Sequence, residues 1–170
     1  MGMERKGHHG REDLIGEHKW GDAGQVILIL FFLAAWICDS FFLHYSDFLS
    51  KYIPLYIRIP VSHTFFIFAA YFAKNGLKII FGEVRDKPTI VRKKVFGLVR
   101  HPIYLGAILF YLGMVLITFS LIATFVWFII IIFYIIISKH EEKLLLEHFG
   151  GEYQKYMDEV PMLFPKLKRK

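Results

Sequence analysis

Four stretches of almost unbroken apolar residues, at about 25–45, 55–73, 102–119 and 121–138, limit what this chain can fold into more than any other feature. As a helix rising 1.5 Å per residue, about 18 residues reach roughly 27 Å, which just crosses a hydrocarbon core. Backbone amides in lipid must pair within their own segment, so runs of this length read as spanning helices. The expected fold is all-α: an integral membrane bundle of four transmembrane helices within one domain, 23–170. Composition agrees. Hydrophobic residues make up 55% of the 170 and charged residues 21%, with a mean hydropathy of +0.44. Water-soluble domains usually carry less apolar and somewhat more charged material.

The formal charge of +6 does not point to nucleic acid, because Lys and Arg sit between and beyond the apolar runs. Arg5, Lys6, Arg11 and Lys19 precede the first span, while the loop after it holds Lys51, with Arg58 near the start of the second span. The next connection holds Lys74, Lys78, Arg85, Lys87, Arg92, Lys93, Lys94 and Arg100. None lies between the third and fourth spans, and Lys139, Lys143, Lys155, Lys166, Lys168, Arg169 and Lys170 follow. Cytoplasmic loops concentrate such residues, so both termini are expected in the cytoplasm. Residues 1–22 alternate acids, bases, histidines and glycines without an apolar period, and are expected to form a largely disordered cytoplasmic arm. They do not resemble a cleavable leader, so the first span is expected to remain as an anchor.

Cys38, the one cysteine, excludes an internal disulfide and a cysteine-based zinc site. His8, His9 and His18 lack carboxylates at useful spacing, so no metal site is expected. After the fourth span, Leu144, Leu145 and Phe149 can share one face opposite Glu141, Lys143 and Glu147, as in an amphipathic helix in the cytoplasmic tail, 139–170. Gly150-Gly151 should break it. A further short turn places Tyr153, Tyr156 and Met157 at helical spacing, before Pro161 and Pro165 end regular structure.

Chemistry is expected where the third span starts, at Arg100-His101-Pro102-Ile103-Tyr104-Leu105-Gly106. Proline suits the first helical position, and the turn before it can offer unpaired N–H groups to an anion. Arg100 adds a fixed planar cation, His101 a group titrating near neutrality, and Tyr104 an aromatic face with a hydroxyl. Gly106 and Gly113, seven apart, would let a helix or ligand approach the backbone closely. The fourth span returns to the same surface at Lys139-His140-Glu141-Glu142. With so short a turn at the far side, these ends must be neighbours. An Arg-His cluster then faces a Glu pair at the lipid–water boundary, a geometry suited to a zwitterionic, partly cationic ligand.

The ordered set Arg100-His101-Pro102-x-Tyr104-x-Gly106, the hairpin, Glu141-Glu142-x-x-Leu145, Phe149-Gly150-x-Glu152-Tyr153-x-x-Tyr156 and Pro165 resembles the isoprenylcysteine carboxyl methyltransferase and phospholipid methyltransferase superfamily, over residues 81–165. The resemblance implies S-adenosyl-L-methionine as methyl donor, a cytoplasmic pocket, and a lipid-soluble acceptor entering sideways from the bilayer. Carried onto this chain, His101, Tyr104 and Gly106 line the cofactor and Glu141 and Glu142 grip its polar parts. Arg100 is a further cofactor or substrate contact, and Arg100, Glu141 and Glu142 are the catalytic candidates. The family often has a glycine and an aromatic run before its Arg-His-Pro, where this chain has Lys94, Phe96 and Gly97. The acceptor, carboxylate or amine, stays open. Substituting His101 or Glu142 is expected to weaken cofactor binding and to change unliganded stability little.

Two rival readings stand beside this. Steroid-reductase-like membrane enzymes using NADPH carry a similar Arg-His-Pro turn, followed by Asn-Tyr and by Gly with an acidic residue; Ile103 and Ala107 depart from that pattern. A non-enzymatic helix bundle would bind no cofactor. Single residues have plainer roles too: Arg100 as an interfacial anchor, Gly106 and Gly113 as packing contacts, and Glu141 and Glu142 as a solvated face. Tyr153 and Tyr156 can serve to dock the tail. Asp39, unusual in an apolar span, is expected towards the outer side in a packing or interfacial role rather than in ion transport.

Overall fold

Regular structure among the described residues is helical throughout. The computed structural model describes residues 19–82 and 88–165, with side chains from Ala23 onward. Most of the expected arm, and the basic positions Arg85, Lys87, Lys166, Lys168, Arg169 and Lys170, lie outside the described residues. The main helices are α1 (Lys19–Ile37), α2 (Leu55–Gly82), α3 (Pro102–Thr118), α4 (Leu121–Phe149) and α5 (Gly151–Glu159). Ala23–Leu43, Leu55–Gly82 and Leu121–Phe149 are each long and apolar enough to cross a membrane, and Pro102–Thr118 is a shorter apolar helix. At 17 residues, α3 reaches roughly 26 Å.

Helix ends depart from the sequence expectation in a consistent direction. The first helix begins at Lys19 rather than near residue 25. The second continues past Ala73 to Gly82, through what reads in sequence as a basic connection. Lys74 and Lys78 are exposed on this extension while Gly76 and Ile79 are buried, so the added turns are amphipathic. Likewise, α4 runs unbroken from Leu121 to Phe149, merging the fourth span with the amphipathic segment expected after it. Lys139–His148 contains no breaker, and the helix stops at Gly150, whose φ of +56° suits glycine. Pro60 lies inside α2 without ending it.

The α3–α4 hairpin is as short as expected. Phe119 takes a left-handed conformation and donates its N–H to the Val115 carbonyl at 2.7 Å. Ser120 then caps α4, its hydroxyl accepting from the Ala123 N–H at 3.0 Å.

At the hairpin end, α1 passes into a π-helical turn, Cys38–Leu43, closed by His44 at φ 49°. Asp39, 1% exposed, explains the turn. Its carboxylate accepts from the Tyr45 N–H at 3.2 Å and from the Ser46 N–H and hydroxyl at 3.0 and 2.6 Å. Ser46 in turn accepts from the Leu121 and Ile122 amides. The Trp36 indole donates to the Met114 carbonyl and the Thr118 hydroxyl, both at 3.1 Å. Asp39 therefore has a packing role, tying α1 to the start of α4.

The tightest helix contact is between α2 and α3, which run antiparallel. A Cβ on Gly106 would lie 2.9 Å from the Ala69 carbonyl oxygen and 3.0 Å from the Ala73 nitrogen. One on Gly113 would meet the Phe66 ring at 2.5 Å, and one on Gly76 the Ile103 side chain at 2.7 Å. These glycines allow backbone approach, the small-residue packing used between helices in lipid. Around this pair, Phe32, Ile108, Ile130 and Tyr134 form the core, while Phe31, Phe68, Phe125 and Ile132 face outward. Outward apolar side chains on α1, α2 and α4 are what a lipid-facing bundle presents.

The backbone atoms around Gly106 cannot yield as a flexible side chain would. Gly106→Ala is expected to destabilise the detergent-purified protein by about 1–3 kcal/mol, seen as a lower thermal unfolding midpoint. Gly151→Ala, whose added carbon meets nothing within 4 Å, should stay near the parent. An unchanged midpoint for Gly106→Ala would contradict the close α2–α3 contact.

Candidate active site

The start of α3 and the late part of α4 meet, as the short hairpin requires. Arg100 Nε donates to Glu142 Oε1 at 2.7 Å, with side-chain exposures of 9% and 7%. Arg100 Nη1 also donates to the carbonyls of Met157 at 2.8 Å and Val160 at 2.6 Å, at the end of α5. The guanidinium is thus a cap on α5 as well as a partner of Glu142. Cations complement a helix C-terminus, where carbonyls lack helical partners.

His101 lies between the two carboxylates. Its Nε2 is 3.1 Å from Glu142 Oε1, and its Nδ1 is 3.4 Å from Glu141 Oε2. Facing a carboxylate with each nitrogen favours the doubly protonated ring. Burial alone would lower its pKa, but hydrogen bonds and charge from Glu141 and Glu142 outweigh burial and raise it above the ordinary histidine range. The Tyr104 hydroxyl donates to Glu141 Oε1. Its ring is stacked with that of His101 at 5.6 Å and with that of Tyr134 at 4.9 Å. Glu141, with a side chain 17% exposed, is the more accessible carboxylate.

Arg100, His101, Tyr104, Glu141 and Glu142 therefore come together as expected. Gly106 stands apart, facing α2 rather than the carboxylates. The amides expected to be open to an anion before Pro102 are taken. The Arg100 N–H donates to the Pro161 carbonyl at 2.9 Å, and the His101 N–H to Met162 at 3.1 Å. The expectation of little stability change on substituting Glu142 also gives way. It is 5% exposed, and removing one partner of a buried ion pair costs about 3–5 kcal/mol.

Sequence reading missed how far the tail builds this site. Tyr153 and Tyr156 are buried, and the Tyr156 hydroxyl donates to the Phe96 carbonyl at 2.6 Å. Both aromatics therefore dock the tail. Arg92 stacks over the Tyr156 ring at 5.3 Å and donates to the Glu152 carbonyl at 2.8 Å. Ser138 was also missed; it is fully buried one turn before Glu142, and its hydroxyl has no partner. The signal for it is spacing, since Tyr134, Ser138 and Glu142 recur every four residues on α4. An apolar groove of about 320 Å³, lined by Ile67, Phe68, Tyr71, Phe72 and Leu98, opens two residues along the chain from Arg100.

The family described as phospholipid methyltransferase matches this chain over residues 57–152, which includes every residue of the Arg-His-Glu cluster. A methanethiol S-methyltransferase from Pseudomonas sp. (strain GM41(2012)) is 36% identical over 86 residues, 49% of this chain. The aligned part spans 32% of that relative's length. No solved structure matches.

The raised His101 pKa has a stability consequence of definite sign. A group held protonated in the fold contributes stability that is complete below its unfolded value, about 6.5, and is lost as pH rises through the folded value. The unliganded thermal midpoint should fall as pH is raised above the ordinary histidine value of about 6.5, and His101→Gln should flatten that fall. Parallel curves for parent and variant would show that the ring does not carry the linkage.

Proposed function

This chain belongs to the phospholipid methyltransferase family, and from that premise we propose that it takes S-adenosyl-L-methionine as methyl donor and methylates a lipid-like acceptor at the membrane surface. The observation that carries the reading is the carboxylate pair, Glu141 and Glu142, held by Arg100, His101 and Tyr104 at one end of an apolar bundle. The basic residues flanking that end support a cytoplasmic location, with four crossings and both termini on that side.

The residues fit the donor by their chemistry. A partly cationic ligand calls for carboxylates, and Glu141 is exposed enough to reach one. Its hydrogen bond from Tyr104 fixes one oxygen. Buried Ser138, one turn before Glu142 on α4, adds an unsatisfied hydroxyl. When bound, the donor supplies an electrophilic methyl group on a positively charged sulfur. The protein's own work is alignment and exclusion of water, which account for much of the rate in such a transfer.

Roles divide by position. Glu141 and Glu142 grip the donor, while His101 and Tyr104 line it. Arg100 sets the orientation of Glu142 and holds α5 against the site. Gly106 lets α2 close on α3 so that the pocket keeps its shape. A carboxylate acceptor is already a nucleophile; an amine or thiol must first lose a proton, which Glu141 is placed to accept.

The acceptor reading rests on the apolar groove beside Leu98 and on the apolar side chains that α1, α2 and α4 turn outward. Each methylene kept from water is worth about 0.8 kcal/mol, so a long chain dominates recognition. The thiol acceptor named for the Pseudomonas protein supports a second reading, a small thiol.

Calorimetric titration of detergent-purified protein tests the donor. S-adenosylhomocysteine should bind and NADPH should not, and Glu141→Gln should weaken binding by about 1–3 kcal/mol. NADPH binding in place of S-adenosylhomocysteine would return the reductase reading. In sealed vesicles, methylation should require donor on the cytoplasmic side and should rise with acceptor chain length. Equal turnover of a short soluble thiol would sink the lipid acceptor and leave the donor standing.

A further inference from the structure

Ser138 is 0% exposed, and its hydroxyl has no hydrogen-bond partner. Serine inside a helix commonly bonds back to the carbonyl four residues earlier, and that bond is not made here. Buried polar groups in native proteins almost always have a partner, so an orphan calls for an explanation.

Its position supplies one. Ser138 follows Tyr134 by four residues and precedes Glu142 by four, so the three share a face of α4. Tyr134 stacks on Tyr104 at 4.9 Å, and Glu142 bonds Arg100 and His101. Both neighbours on that face thus look onto α3, and Ser138 lies between them, one turn deeper in the bundle than the carboxylates. On α4, Ser138 is the next polar side chain inward from Glu141 and Glu142, and so the next that a ligand held by them and extending into the bundle would come to.

We propose that Ser138 is a further donor-binding residue, its oxygen taking the cationic sulfonium end of the methyl donor while the carboxylates hold the rest. The inference rests on the methyltransferase reading above. A neutral oxygen suits this place, because a third carboxylate would bring an unpaired charge into apolar surroundings. Oxygen lone pairs also accept C–H groups, more so when an adjoining positive centre polarises them.

The test compares two ligands that differ at that centre: S-adenosylmethionine, a sulfonium, and S-adenosylhomocysteine, a neutral thioether. Calorimetry is run on the parent, Ser138→Ala and Ser138→Cys, the last keeping a single γ atom while weakening the acceptor. Both variants should lose roughly two- to five-fold in affinity for the sulfonium, the range of a weak hydrogen bond, and keep the parent's affinity for the thioether. Their unliganded thermal midpoints should match or exceed the parent's, since an unpaired hydroxyl has been removed. Equal losses for both ligands, or no loss for either, would overturn the assignment of Ser138. A parent that binds neither ligand would overturn the methyltransferase reading together with this one.

Discussion

The ion pair between Arg100 and Glu142 is the contact on which the rest of this end of the bundle depends. Each side chain is more than nine-tenths buried, and a charge removed from water without a partner is strongly disfavoured. The pair meets that demand only with help. Arg100 also uses two carbonyls at the end of α5, and Glu142 also accepts from His101. Arg100 and His101 face Glu141 and Glu142 at close range, so each buried polar group of the cluster has a partner of complementary character. Moving any one of these groups leaves another uncompensated, which explains why α3, α4 and α5 are fixed to one another here.

The four apolar helices, three of them long enough to cross a membrane, were legible because runs of about 18 apolar residues stand out against a charged background. Helix ends were not. Nothing in the backbone of α2 changes at Ala73, and the chain stays helical to Gly82 while its exposed face turns from Phe68 and Tyr71 to Lys74 and Lys78. Hydropathy marks where lipid stops, not where helix stops. The same reasoning joins the fourth span to Glu141, Glu142 and Leu145 in one rod.

Much of the candidate site was legible for a topological reason. A turn as short as Phe119-Ser120 forces the far ends of its helices together, so Arg100 and Glu142, 42 residues apart in sequence, had to be neighbours. The tail was not legible in this way. Met157, Val160, Pro161 and Met162 contribute backbone carbonyls, and a carbonyl carries no residue signature. Family likeness pointed to Tyr153 and Tyr156 but not to the clamp behind them. Ser138 looked like any serine near a span boundary; its burial and lack of a partner, which Ser62 on α2 shares, show only in the structure.

The clamp between Arg100 and the residues after α5 also has a bearing on biosynthesis. Arg100 leaves the ribosome 57 residues before Met157 and 60 before Val160, and α4 must be threaded into the bilayer in between. Throughout that interval the guanidinium has no helix end to cap, and the amides of Arg100 and His101 have no carbonyls to join. A nascent chain that has inserted all its apolar segments is therefore still unfinished at its polar mouth. A chain interrupted between Phe149 and Met157 would hold all the apolar helices but lack the backbone acceptors that seat its buried arginine, an ordered body with an open end.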